Sequence, residues 1–194
     1  MMIAIGQLNT TVGDMEGNVR KMLDVANQAR DRGAELILFP EMAVCGYPPR
    51  DLVQVSGFAE SNRNWLTHLA RNLPKGLTAV AGFVARSSSK AGKPFANTAA
   101  VLRDGKVIYE QAKVLLPTYD VFDEARNFEP GQRLKPFRAA GHSVGLTICE
   151  DCWNDKHFWK QHLYERDPVA EVMKSKPGVL INISASPYAF GRRA

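Results

Sequence analysis

The chain has 194 residues, 45% hydrophobic and 23% charged, enough to bury one substantial core. Its 25 basic and 20 acidic residues leave a net charge of +5, but the basic side chains are scattered, which disfavours a general nucleic-acid role. No stretch reaches the roughly 18 to 20 apolar residues of a bilayer crossing, and the first residues look like a strand and not a signal peptide. Three cysteines cannot complete a disulfide framework, so a reducing compartment, the cytoplasm, is expected, with no membrane partner.

In chain order, residues 2–9 read as a first strand, followed by a turn at Gly13-Asp14. A helix begins near Glu16, with Val19, Met22, Leu23, Ala26 and Ala29 at helical spacing, and Gly33 ends it. Strand 35–39 stops at Pro40-Glu41, and residues 46–51 form a loop rich in turn formers. A second helix spans 60–72, with Trp65, Leu66 and Leu69 inward. Strands follow at 77–86 and 96–103, and Asp104-Gly105 turns the chain into 106–112. Residues 114–140 show little regular pattern, and a long irregular loop of this kind is more often functional than idle. Strand 143–148, a helix at about 155–174 and strand 178–183 complete the pattern, which predicts a mixed α/β domain. The chain stops after Gly191-Arg192-Arg193-Ala194 without a helix to cover that strand, as expected of a fragment.

Three apolar runs end on residues with chemistry. Glu41 follows 36–39, Lys113 follows 107–112, and Cys149 follows 144–148. Strand ends are where α/β sheets bind ligands. A thiol near pKa ~8.5 is mostly protonated at neutral pH, so a neighbouring carboxylate is needed to take its proton. An ammonium and a backbone N–H, such as that of Glu150, can stabilise the oxyanion that forms when a thiol attacks an amide. Glu124, in the irregular loop, can hold Lys113 charged or assist proton transfer. Judged singly, such residues are more often a packed cysteine or a solvated strand end than catalytic groups. Cys149-x-x-Cys152 could also be a redox pair or half a zinc site, but no four-ligand grouping accompanies it, and the four histidines show no metal spacing. Neither Gly-x-x-x-x-Gly-Lys nor Gly-x-Gly-x-x-Gly occurs.

Taken in order, these segments resemble the nitrilase, or carbon–nitrogen hydrolase, superfamily with its Glu–Lys–Cys triad. The flanks narrow the resemblance. Phe39 to Leu52, Lys113 to Glu124 and Ile148 to Trp153 are similar to the glutaminase domain of glutamine-dependent NAD+ synthetases. The resemblance implies a nitrilase-type α-β-β-α sandwich, C-terminally incomplete, over residues 1–194, with the synthetase domain outside this chain. It implies Glu41 as base, Lys113 as oxyanion stabiliser and Cys149 as nucleophile toward glutamine. Tyr119 and Glu124 match positions lining the glutamine pocket, and Ser186 and Arg192 match positions holding its α-amino and α-carboxylate groups. It further implies a homo-oligomer, and no cofactor in this chain, since ATP, Mg and deamido-NAD+ would bind the synthetase domain. The alternatives are a free-standing nitrilase-type amidase on another small amide, a non-catalytic scaffold, and a thiol-redox protein.

Overall fold

Asp14 caps the first helix, α1 (Met15–Asp31), by accepting from the Gly17 N–H, and Val19, Met22, Ala26 and Ala29 form its buried face. Gly33, at φ +85°, takes the chain out of the helix. The second helix, α2 (Phe58–Asn72), buries Phe58, Leu66 and Leu69 beside α1. These details come from a computed structural model that describes residues 1–119, 121–156 and 160–186.

Both helices cover one face of a five-stranded sheet. Its strands are β1 (Ile3–Ile5), β2 (Leu36–Leu38), β3 (Thr78–Arg86), β4 (Phe95–Arg103) and β5 (Lys106–Ala112), ordered as in sequence. The first three run parallel, and the last two form an antiparallel meander through Asp104-Gly105. A second sheet contains β6 (Phe137–Ala139), β7 (His142–Ile148) and β8 (Val179–Ile183), with β7 in the middle. Eight of the nine residues in each of β3 and β4 are buried, as expected for strands covered on both faces.

Two apolar layers result. One joins α1 and α2 to the first sheet through Met22, Leu66, Leu69 and Phe83. The other lies between the sheets, where Leu36, Val80, Ala99 and Val101 meet Leu146, Ile148, Ile181 and Ile183. Inside it, buried Gln111 Nε2 donates to the Leu146 carbonyl across the sheets at 2.7 Å. The short helix α4 (Pro168–Met173) lies on the outer side of β7, with Val172 fully buried against Gly145. The layering is therefore helix, sheet, sheet, helix, as the resemblance implied.

Three expectations need correction. The helix expected over 155–174 is confined to 168–173. Asp167 caps it and Pro168 occupies its first turn, and a proline ring there bars the helix from running through from the N-terminal side. The described residues between 153 and 166 form no regular element. The segment 114–140 is less irregular than expected, because it holds a single helical turn, α3 (Glu124–Asn127), and strand β6. That strand enters β7 through Ala140-Gly141, both at positive φ. The first strand covers only residues 3–5 of the expected 2–9.

Candidate active site

Glu41 is placed by the way β2 ends. After Leu38, the Phe39 N–H still pairs with the Val80 carbonyl, and Pro40 then stops the ladder. The chain turns at Met42, φ +48°, and lies directly on β3, where the Val44 N–H donates to the Gly82 carbonyl at 3.1 Å. A Cβ at position 82 would sit 2.2 Å from the Met42 nitrogen and 2.7 Å from Glu41 Cα, so only glycine permits this approach. The Glu41 side chain is fully buried.

Lys113 leaves β5 fully buried and points its ammonium between two carboxylates. Nζ donates to Glu41 Oε1 at 2.9 Å and to Glu124 Oε1 at 2.8 Å. Asn97, buried in β4, donates its single amide nitrogen to Glu41 Oε1 at 2.7 Å and Glu124 Oε2 at 3.2 Å. Tyr47 adds a hydroxyl to Glu124 Oε1 at 2.9 Å. Three ionisable groups thus share a nearly dry site, held by hydrogen bonds from three different segments.

Cys149 arrives from the other sheet. It starts a tight 3-10 turn over 149–152 at the end of β7 and adopts φ +45°, a left-handed conformation costing a non-glycine residue about 1–2 kcal/mol. Asp151 closes the same turn. Its carboxylate is fully buried and accepts three backbone N–H groups, from Ile148 at 3.0 Å, Val114 at 3.0 Å and Leu115 at 2.9 Å. The segment after β8 then brings thiol and base together. The Ser184 hydroxyl donates to Cys149 Sγ at 3.2 Å, while the next residue's N–H, that of Ala185, donates to Glu41 Oε2 at 3.1 Å. Ser186 Oγ lies 3.8 Å from the same sulfur and 2.7 Å from Ser184 Oγ.

Burial, reinforced by the Glu41 charge, pushes the Cys149 thiol up to about 11, although Lys113 opposes this. Burial also works against the Lys113 ammonium, but the charges of Glu41 and Glu124 outweigh it and raise its pKa. Glu124 is shifted above the ordinary carboxylate range by burial, with Lys113 pulling down and Glu41 pushing up. The resting site therefore holds a protonated thiol beside a carboxylate–ammonium cluster. Such a set can move a proton from sulfur to carboxylate while presenting positive charge to a polarised carbonyl.

Glu150 does more than carry a backbone N–H. Its buried carboxylate accepts from Tyr119 at 2.8 and 2.9 Å and from Tyr164 at 2.9 Å. Tyr119 is 43% exposed and packs edge-on against Phe122. A pocket of about 160 Å³ adjoins Tyr47, Phe122 and Glu124, but Glu41, Lys113 and Cys149 do not line it. The structure thus brings together Glu41, Lys113, Glu124, Cys149 and Ser186 and places Tyr119 on Glu150; Arg192 lies outside the described residues. Asn97, Tyr47, Asp151, Tyr164 and Ser184 complete the surroundings and had not been singled out as site residues. Among the described residues, no group of three or more His, Cys, Asp or Glu side chains is placed to hold a metal ion.

Two back-to-back sheets between helices, with Glu41 and Lys113 on one sheet and Cys149 on the other, define a class that comparison with known proteins identifies. Residues 2–159 match the carbon–nitrogen hydrolase family, and the chain belongs to it. It is similar to the glutamine-dependent NAD(+) synthetases of Synechocystis sp. (38% identical over 193 residues) and Thermotoga maritima (39% over 194). Each alignment covers 98% of this chain but 35% and 31% of those proteins, so the chain spans about a third of their length. The solved glutamine-dependent NAD+ synthetase of Acinetobacter baumannii superposes with a TM-score of 0.84 at 32% identity, over 98% of this chain and 33% of that one. An amidase from Nesterenkonia sp., 23% identical, shares the fold with a TM-score of 0.77 over 98% and 66%.

Proposed function

We propose that this chain is the glutaminase portion of a glutamine-dependent NAD+ synthetase, releasing ammonia from the side-chain amide of glutamine. The observation that carries the reading is the dry Glu41–Lys113–Glu124 cluster, joined to the Cys149 thiol through Ser184 and Ala185. The similarity to enzymes named for glutamine dependence supplies the substrate class. As Cys149 Sγ bonds to the amide carbon, its proton passes to Glu41. Lys113 and the Glu150 N–H stabilise the oxyanion. Glu41 then protonates the departing nitrogen, which leaves as ammonia as the C–N bond breaks, and a γ-glutamyl thioester remains. Water, deprotonated by Glu41, attacks the thioester; the C–S bond breaks, glutamate leaves and the thiol regains its proton.

Glu124 keeps Lys113 charged and lines the glutamine pocket with Tyr119, and Ser186 and Arg192 hold the substrate's α-amino and α-carboxylate groups. The ammonia serves amidation of deamido-NAD+ in a synthetase domain outside this chain, and ATP and magnesium belong there too. A cytoplasmic homo-oligomer is the assembly proposed. No helix of the described residues is long and apolar enough to cross a membrane. The test is ammonia and glutamate release from glutamine against a panel of small amides, with Cys149→Ala as control. Preferred turnover of glutamine, abolished by the substitution, is expected. Preferred turnover of another amide would replace this reading with the amidase, and unchanged turnover in Cys149→Ala would remove the mechanism.

A further inference from the structure

Cys149 and Lys113 stand on different sheets, yet their backbones are linked by one side chain. Asp151 accepts from the two N–H groups that follow Lys113 and from the one that precedes Cys149, at 2.9, 3.0 and 3.0 Å. Lys113 itself is fixed on its other flank, where its N–H donates to the Asn97 carbonyl and its carbonyl accepts from the Gly131 N–H. Gln111, two residues before Lys113, also bonds β7 at the Leu146 carbonyl, but Asp151 is the side chain that reaches both the residues after Lys113 and the one before Cys149. We propose that Asp151 is a positioning residue for the hydrolytic reaction, a carboxylate latch that sets the Lys113 ammonium and the Glu150 N–H against the carbonyl attacked by Cys149. The proposal rests on the glutaminase reading of the site.

Three features separate a latch from ordinary packing. The carboxylate spends its two oxygens on backbone donors from two segments that lie 33 residues apart in sequence between Leu115 and Ile148. It closes the turn in which Cys149 is held at φ +45°, the conformation that turns the thiol toward Ser184. It is also kept at a cost, since burial pushes its carboxyl up to about 6 despite the three N–H donors. Groups retained against stability are characteristic of sites where geometry matters more than folding free energy.

Asp151→Asn and Asp151→Ala in the full-length protein test the latch, with kcat and KM for glutamine expressed per folded chain. Asparagine keeps one good acceptor and can hold one of the two segments, whereas alanine holds neither. The expected result is a kcat loss of roughly 10- to 100-fold for asparagine and more for alanine, with KM within about threefold of wild type. A lower melting temperature is expected of the latch and of a purely structural role alike, so the deciding readout is the loss of kcat per folded chain at unchanged KM, which a purely structural role would not produce. Wild-type kcat in both folded variants would overturn the proposal, as would a loss confined to KM. Should the variants not fold, wild-type amide exchange decides: one shared protection for Val114, Leu115 and Ile148 is expected of a single latch, and three unrelated protections would overturn it. A wild-type protein that hydrolyses another amide but not glutamine would refute the substrate reading while leaving the latch testable on that amide.

Discussion

At the scale of single residues, the site is organised around a thiol that is not ionised at rest. Burial and the Glu41 charge hold Cys149 up at about 11, so attack on an amide needs a base at the moment of bonding. Glu41→Gln keeps the volume and one of the two acceptor oxygens, so it can hold either the Asn97 or the Ala185 hydrogen bond, but it removes that base. A fall in kcat of at least about 100-fold is expected, with alkylation of Cys149 slowed as well. Undiminished alkylation would show that Glu41 does not handle the thiol proton. Asp151 supplies a separate pH test. Its folded pKa of about 6 lies above the ordinary 3.8, so the folded chain binds the extra proton between those values. The associated stability is present below 3.8 and is lost as pH rises through 6; the three N–H donors and the Lys113 charge oppose protonation, Arg166 interacts with the same carboxylate, and Glu150 and Cys152 are its sequence neighbours. Lowering pH from about 7 to 5 should therefore stabilise wild type relative to Asp151→Asn by about 1 kcal/mol in urea titrations, and a relative loss would contradict the assignment.

At the scale of elements, each of the three proposed reactive side chains sits where a strand gives way to a turn, and that is why they were legible in the sequence. Apolar runs ending in Glu41, Lys113 and Cys149 stand out without knowledge of the fold. Asn97 and Asp151 did not stand out, because their importance lies in partners 27 to 56 and 36 to 37 residues away. A signal existed for Asn97, a lone amide inside the apolar run from Phe95 to Leu102, and buried polar groups need a reason. The helix expected at 155–174 runs across Pro168, where the Asp-Pro pair instead marks a helix start. Gly82 illustrates how an element can dictate the site. Gly82→Ala places a Cβ against the Glu41–Met42 backbone, and either β3 or the turn must move. A destabilisation of about 1–3 kcal/mol is expected, together with a kcat loss larger than the folded fraction explains. Normal kcat in a stable Gly82→Ala protein would show that the approach is not needed.

At the scale of the whole molecule, the proposed active site exists only where two sheets meet. The first sheet contributes Glu41, Asn97 and Lys113, the second Cys149, and the segment after β8 touches both thiol and base. The inter-sheet layer of Val80, Val101, Leu146 and Ile148 is thus what assembles the chemistry, as well as what excludes water from it. The family similarity extends over this architecture, while about two thirds of the relatives' length lies outside the part that this chain matches. The most direct test of the account is peptide mapping after exposure to an electrophilic glutamine analogue, with far-UV circular dichroism confirming that the protein is folded. A single adduct on Cys149, blocked by excess glutamine, is the predicted result. No adduct on folded protein, or an adduct that glutamine does not block, would contradict the claim that Cys149 is a glutamine-directed nucleophile.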